Sequence, residues 1–259
     1  NWSVVERYVR NQGKPREDLR QFKLFNTTRN TPRSWRGVVY SPNNPTGWTL
    51  SAAEQAVILT HCRRHGIWIA ADEVYERLGF GESGAPSFLD LASRDEHVIV
   101  VNSFSKAWAM TGWRLGWLVA PERTMDALSK LVEYNTSCAP GFVQAAGVAV
   151  VREGEPFVAE FVSSLRTARD HLVAALNGLP GVHVEAPDGA MYLFLRLPGA
   201  ADSLAFCKRL VREAGLGLAP GRAFGDEGEG FVRWCYACDV ARLDTGVERL
   251  KTFLQGAGG

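Results

Sequence analysis

The sequence has no charge surplus to speak of: 29 lysines and arginines stand against 28 aspartates and glutamates. So even a balance carries no basic field to draw nucleic acid or anionic lipid, and a small neutral or zwitterionic partner suits it better. No stretch approaches the roughly 20 apolar residues of a membrane span, and the first residues lack the charged-then-apolar pattern of a secretory signal. Both absences point to a cytoplasmic protein without membrane association. Cysteine is scarce and odd in number. Cys62, Cys138, Cys207, Cys235 and Cys238 stand among apolar neighbours, which suits reduced buried thiols better than a disulfide framework. Cys235 and Cys238 form a lone C-x-x-C. A structural zinc site needs a second ligand pair, and none is recognisable, so no metal is expected.

What is present describes an ordinary globular chain of 259 residues, 46% apolar and 22% charged. It begins at Asn1 rather than methionine and enters at once into an amphipathic stretch from Trp2 to Arg10, so a preceding segment is expected. Thereafter short β-rich runs alternate with helical patterns, as in a parallel sheet with crossover helices. Strands are expected at Gly37 to Tyr40, Ile67 to Ala71, Val98 to Asn102 and Leu115 to Ala120. Between the first two, Ser51 can cap a helix, Glu54 stands three residues on, and Gly66 can end it. After Pro121 the pattern turns helical: Glu122 to Tyr134, Phe142 to Arg152, and a long run from Pro156 to Leu176 closed by Asn177 and Gly178. Beyond it follow a short segment from Val182 to Glu185, alternation from Met191 to Leu197, a helix at Ser203 to Ala214, a strand at Gly230 to Tyr236 and a helix at Val240 to Leu254. The expected organisation is a large α/β domain over 1–165 and a smaller α+β domain over 166–259.

Chemistry concentrates in the run SFSKAWAMTGWRLG, Ser103 to Gly116, directly after an apolar strand. Lys106 there sits at a strand's carboxyl end, where open α/β sheets place ligands. Hydroxyls at Ser103 and Ser105, the arginine Arg114 and otherwise small or apolar neighbours surround it. Desolvation of an amine favours its neutral, nucleophilic form. Three further segments stand out: SPNNPTG at Ser41 to Gly47, made of turn formers with Pro45 a candidate cis-proline; ADEVY at Ala71 to Tyr75, which places the carboxylate of Asp72 at a strand end; and Arg233 in the strand FVRWCYA.

Taken together these segments resemble the class I/II aminotransferases, fold-type I enzymes that use pyridoxal 5'-phosphate (PLP), and the resemblance runs over essentially the whole chain. It implies a mainly parallel large domain, incomplete at its N-terminus, with a smaller α+β domain, assembled as a homodimer. Lys106 would then bind the cofactor as a Schiff base and act as the catalytic base, while Asp72 would pair with the ring nitrogen and keep the ring an electron sink. Asn44 and Tyr75 would hydrogen-bond the phenolic oxygen. Ser103, Ser105 and Arg114 would hold the phosphate through charge-assisted bonds, Arg233 would take the substrate α-carboxylate in bidentate fashion, and Asn44 would also be among the substrate-binding residues. Trp2, followed by Gly13, resembles the segment whose aromatic stacks on the ring. The family's glycine-rich phosphate turn and a tyrosine lent across its dimer lie upstream of what matches here, so this stretch alone is expected to hold PLP poorly.

The implied reaction is ping-pong transfer of an amino group between an L-amino acid and a 2-oxo acid. In the aspartate-specific branch an arginine precedes an S-x-x-P stretch. Ser137 to Pro140 resembles that stretch, but Leu131, Val132, Glu133 and Tyr134 precede it without an arginine, so a neutral, aromatic or broad donor is expected. Two alternatives share these residues: a carbon-sulfur lyase or related enzyme on the same fold, and an aminotransferase-like sensing domain of a transcription regulator.

Overall fold

A computed structural model describes residues 36–256. Contacts divide the chain into two units: residues 36–42 and Thr49–Val162 in the first, residues 43–48 and 163–256 in the second.

The first unit is a four-stranded sheet of β1 (Arg36–Tyr40), β2 (Trp68–Asp72), β3 (Val98–Ser103) and β4 (Gly116–Val119), in that order. β1, β2 and β3 run parallel. The crossover between β1 and β2 is helix α1 (Ala52–His65), and its ends form for local reasons. The Ser51 hydroxyl accepts from the Glu54 amide while the Glu54 carboxylate accepts from the Ser51 amide, and Gly66 closes the helix at φ 62°. Ile58, Leu59 and Cys62 of α1 are buried, as are Ile69, Ala71, Val98 and Val100 of the strands.

β4 departs from the parallel pattern: it runs antiparallel to β3, Ser103 facing Gly116. The connection, residues 104–115, folds as the short helix α2 (Phe104–Ala107) and a 3-10 turn, Thr111–Trp113. A parallel return needs a full crossover helix, and this stretch does not form one. Backbones approach so closely at the hairpin's mouth that a Cβ on Gly116 would lie 2.6 Å from the Asn102 carbonyl oxygen. Helices α3 (Met125–Thr136), α4 (Gly141–Glu153) and the start of α5 (Glu155–Asn177) complete the unit.

The second unit takes the rest of α5, whose Leu165, Ala168, Leu172 and Leu176 repeat at helical spacing and are buried. The segment 182–185 joins no sheet, and the side chain of Asn177 satisfies Val184 on both sides, accepting from its amide at 2.8 Å and donating to its carbonyl at 2.9 Å. β5 (Tyr192–Arg196), β6 (Ala219–Pro220) and β7 (Phe231–Cys235) form an antiparallel sheet in the order β5, β7, β6. Helices α6 (Ser203–Ala214) and α7 (Val240–Gly256) accompany it, α6 capped by the Asp202 carboxylate and ended by Gly215 at φ 63°. Among the described residues no helix is long and apolar enough to cross a membrane.

Candidate active site

In the first unit the chemistry collects where β2 and β3 end. Asp72 is the last residue of β2, paired in register with Tyr40 on one side and Val101 on the other. Its carboxylate accepts from the Val74 amide at 3.2 Å, and burial holds its protonation range above the ordinary one despite that bond. Among the described residues no cation bonds it. A half-buried acid so placed is costly unless a cation comes to it.

Its neighbour Glu73, which the sequence reading passed over, is solved differently. It is 2% exposed, accepts from the Ser87 hydroxyl at 2.6 Å and from the Phe88 amide at 2.8 Å, and burial likewise pushes its carboxyl up. These bonds tie the loop at residues 87–88 to the strand end, and adjacency to Asp72 was the one signal in the sequence. Tyr75 is buried one turn on, and the Lys106 Nζ lies 5.7 Å from the centre of its ring.

Lys106 rides in α2, within the β3–β4 connection, half-buried between buried Ser105 and Ala107. Ser103 organises the turn: its hydroxyl accepts from the Ser105 amide at 3.1 Å and donates to the Leu115 carbonyl at 3.2 Å. Phosphate contact by Ser103 therefore requires that hydroxyl to turn away from Leu115. Beneath the connection Phe104 packs on Trp108 and Trp117, with ring centres 5.2 and 4.9 Å apart. Arg114 takes the left-handed conformation, φ 54°, and lies exposed with Nη1 donating to the Thr111 carbonyl at 2.9 Å.

In the second unit, the turn 43–48 treats its two adjacent asparagines differently. Asn43 is buried and consumed by the turn. Its side-chain oxygen accepts from Thr46 Oγ1 at 2.9 Å and its amide donates to the Trp48 carbonyl at 2.9 Å. Asn44 is exposed, and its oxygen accepts from Arg233 Nη1 at 2.8 Å. The Asn44–Pro45 peptide is cis, as is Ser41–Pro42. Gly47 cannot carry a side chain: its φ is 69°, and a Cβ would lie 2.5 Å from Pro187 Cβ and 2.6 Å from the Gly189 oxygen. That close approach fixes the turn and with it the Asn44–Arg233 bond. The structure thus brings Asp72, Tyr75, Ser103, Ser105, Lys106 and Arg114 into one unit, and Asn44 and Arg233 into the other. Trp2 lies outside the described residues.

The family profile for aminotransferase class I and II matches residues 37–250. This chain belongs to the class I and II aminotransferase family. An aspartate aminotransferase of Musicola paradisiaca is 35% identical over 219 residues, covering 82% of this chain and 55% of the relative. The aromatic-amino-acid aminotransferase 2 of Thermococcus litoralis is 34% identical over 230 residues, 87% of this chain and 58% of the relative. Among solved structures, the aromatic aminotransferase of Pyrococcus horikoshii superimposes with a TM-score of 0.80 at 32% identity, over 86% of this chain and 60% of that one. The architecture is the fold-type I arrangement of these aminotransferases. The chain spans a little over half the length of the curated relatives it matches.

The donor set of the first unit fits the cofactor of that family. An aldehyde needs an amine, which Lys106 offers. A protonated pyridine nitrogen needs a carboxylate, and Asp72 is a half-buried one that no cation of the described residues bonds. A dianionic phosphate needs hydroxyls and a guanidinium, and Ser103, Ser105 and Arg114 stand on the same connection as the lysine.

Proposed function

We propose that this chain is the greater part of a PLP-dependent aminotransferase that passes an amino group from an L-amino acid to a 2-oxo acid by a ping-pong route. The observation that carries the proposal is the placing of Lys106, just past the end of β3, next to a strand end whose half-buried Asp72 carboxylate has no cation among the described residues. When bound, PLP supplies a carbonyl that takes up and returns the amino group and a ring that withdraws electrons from the substrate Cα. The chain's own groups do the rest. Lys106 would hold the cofactor and, when the incoming amine takes its place, its Nζ would carry the proton from the substrate Cα to the cofactor carbon. Asp72 would keep a proton on the ring nitrogen by charge pairing. Tyr75 and Asn44 would donate to the phenolic oxygen, Ser103, Ser105 and Arg114 would hold the phosphate, and Arg233 would receive the α-carboxylate. A 2-oxo acid leaves, and a second one carries the amino group away.

For the donor, the absence of an arginine among Leu131 to Tyr134 favours a neutral or aromatic amino acid over a dicarboxylic one. Relatives named for aspartate and for aromatic amino acids both match, so the scaffold accommodates either class. Residence in the cytoplasm and assembly as a homodimer complete the proposal, on family likeness. The test is reduction by borohydride of the whole PLP-loaded protein followed by peptide mass spectrometry. An adduct on Lys106, lost together with turnover in Lys106→Ala, is the expected result; an adduct elsewhere, or turnover surviving in Lys106→Ala, overturns it. Ammonia and pyruvate released from a sulfur amino acid without a 2-oxo acid would instead make the enzyme a lyase.

A further inference from the structure

Arg233 is held in an unusual way. Its Nη1 donates to Asn44, but its Nε is buried with no hydrogen-bond partner among the described residues. What flanks the guanidinium instead is aromatic: its Cζ lies 4.3 Å from the centre of the Tyr192 ring and 4.7 Å from that of Phe224. The β5–β7 register explains the first contact. Phe194 faces Arg233 and Arg196 faces Phe231, so Tyr192, Phe194 and Arg196 lie on the same face of the sheet as Phe231 and Arg233. The second contact comes from the 3-10 turn Gly221–Phe224. That turn is locked against the sheet at Gly221 and Gly228, where a Cβ on either would collide with the backbone of the other. Phe194 then props Phe224 edge-on at 6.0 Å and itself stacks on Phe231 at 5.0 Å.

We infer that Tyr192 and Phe224 are positioning residues that set the plane in which Arg233 receives a substrate carboxylate; the inference rests on the reading of Arg233 given above. Two parallel N–H bonds to a carboxylate form only when carboxylate and guanidinium share a plane. Two rings with centres 4.3 and 4.7 Å from the guanidinium carbon, and Asn44 bonded to Nη1, restrict the turning of that plane before the substrate arrives, and the rings favour its charge through their electron-rich faces. Neither ring is assigned a part in the chemical step, so their effect is expected on binding.

The test compares Phe224→Leu, Tyr192→Leu, Tyr192→Phe and Arg233→Lys in the whole PLP-loaded protein. It reads KM and kcat for an amino donor, the calorimetric affinity for propionate as an unreactive carboxylate, and cofactor absorbance. Each leucine variant is expected to raise KM and weaken propionate about tenfold while leaving kcat and absorbance in place, with Tyr192→Phe recovering the wild-type values. Unchanged KM in both leucine variants, while Arg233→Lys raises it, overturns the inference and leaves the reading of Arg233 standing. Unchanged KM in Arg233→Lys removes that reading and the inference with it. Parallel loss of kcat and absorbance in the leucine variants makes the rings merely structural and also overturns it.

Discussion

The strand ends around Asp72 and the sheet face around Arg233 solve opposite versions of one problem, how to keep a charge ready in a partly buried place. Arg233 is provided for from within its own unit, by two rings and the Asn44 oxygen. Among the described residues Asp72 has the Val74 amide as its donor, and it carries the penalty of burial, a carboxyl held toward its protonated form. Next to it, Glu73 shows that the local fold can satisfy a buried acid when the acid is structural, since two donors converge on it. On the proposed function, the difference teaches that the group assigned to a tightly held, charged cofactor is left in want of its partner, while the group assigned to a substrate that comes and goes is kept in shape beforehand.

The largest test of that contrast is Asp72→Asn. If the carboxylate exists to pair with a ring nitrogen, its loss should lower kcat by about a hundredfold or more, the scale of removing one electrostatic stabiliser of developing charge, while KM for the donor moves little. Steady-state kinetics on the whole PLP-loaded protein check it, and a KM effect as large as the kcat effect would break the division between the two regions. Next in size is Gly47→Ala in the turn that presents Asn44. A left-handed φ together with contacts of 2.5 and 2.6 Å should cost about 2–4 kcal/mol of stability in chemical denaturation. A neutral substitution there would mean that the turn yields and that Arg233 is less firmly held than described.

The smallest effect is one of pH, in the protein freed of cofactor. The folded-state ranges of Asp72 and Glu73 lie above their ordinary values because burial disfavours the charged forms. Between the ordinary and the raised range the folded state therefore binds more protons than the unfolded one, so this contribution is whole at low pH and declines as pH rises through the window. Thermal melts from about pH 4 to 7 should show wild type losing part of its stability on that climb, and Glu73→Gln and Asp72→Asn losing less of it. Adding PLP should flatten the Asp72 part alone, since only Asp72 gains a cation.

Much of this was legible along the chain, where the cause is local. Ser51, Glu54 and Gly66 fix α1 through bonds between near neighbours, and α6 begins and ends where its cap and its glycine stand. The segment 182–185 was harder to read because one side chain, that of Asn177, replaces a strand partner. Glu73 was passed over because an acid beside a strand end reads the same whether or not two donors await it.

The sequence by itself determined that Lys106 follows an apolar strand, that Asp72 closes another, and that the family is that of the class I and II aminotransferases, since caps, periodicity and short segments act over a few residues. Tertiary structure alone decided that β4 returns antiparallel, that Asn43 is spent in the turn while Asn44 meets Arg233, and that the Tyr192 and Phe224 rings both come against its guanidinium, with centres 4.3 and 4.7 Å from Cζ. These depend on close approach between segments far apart in the chain, where a glycine with no room for a Cβ or the register of two strands settles which side chains touch.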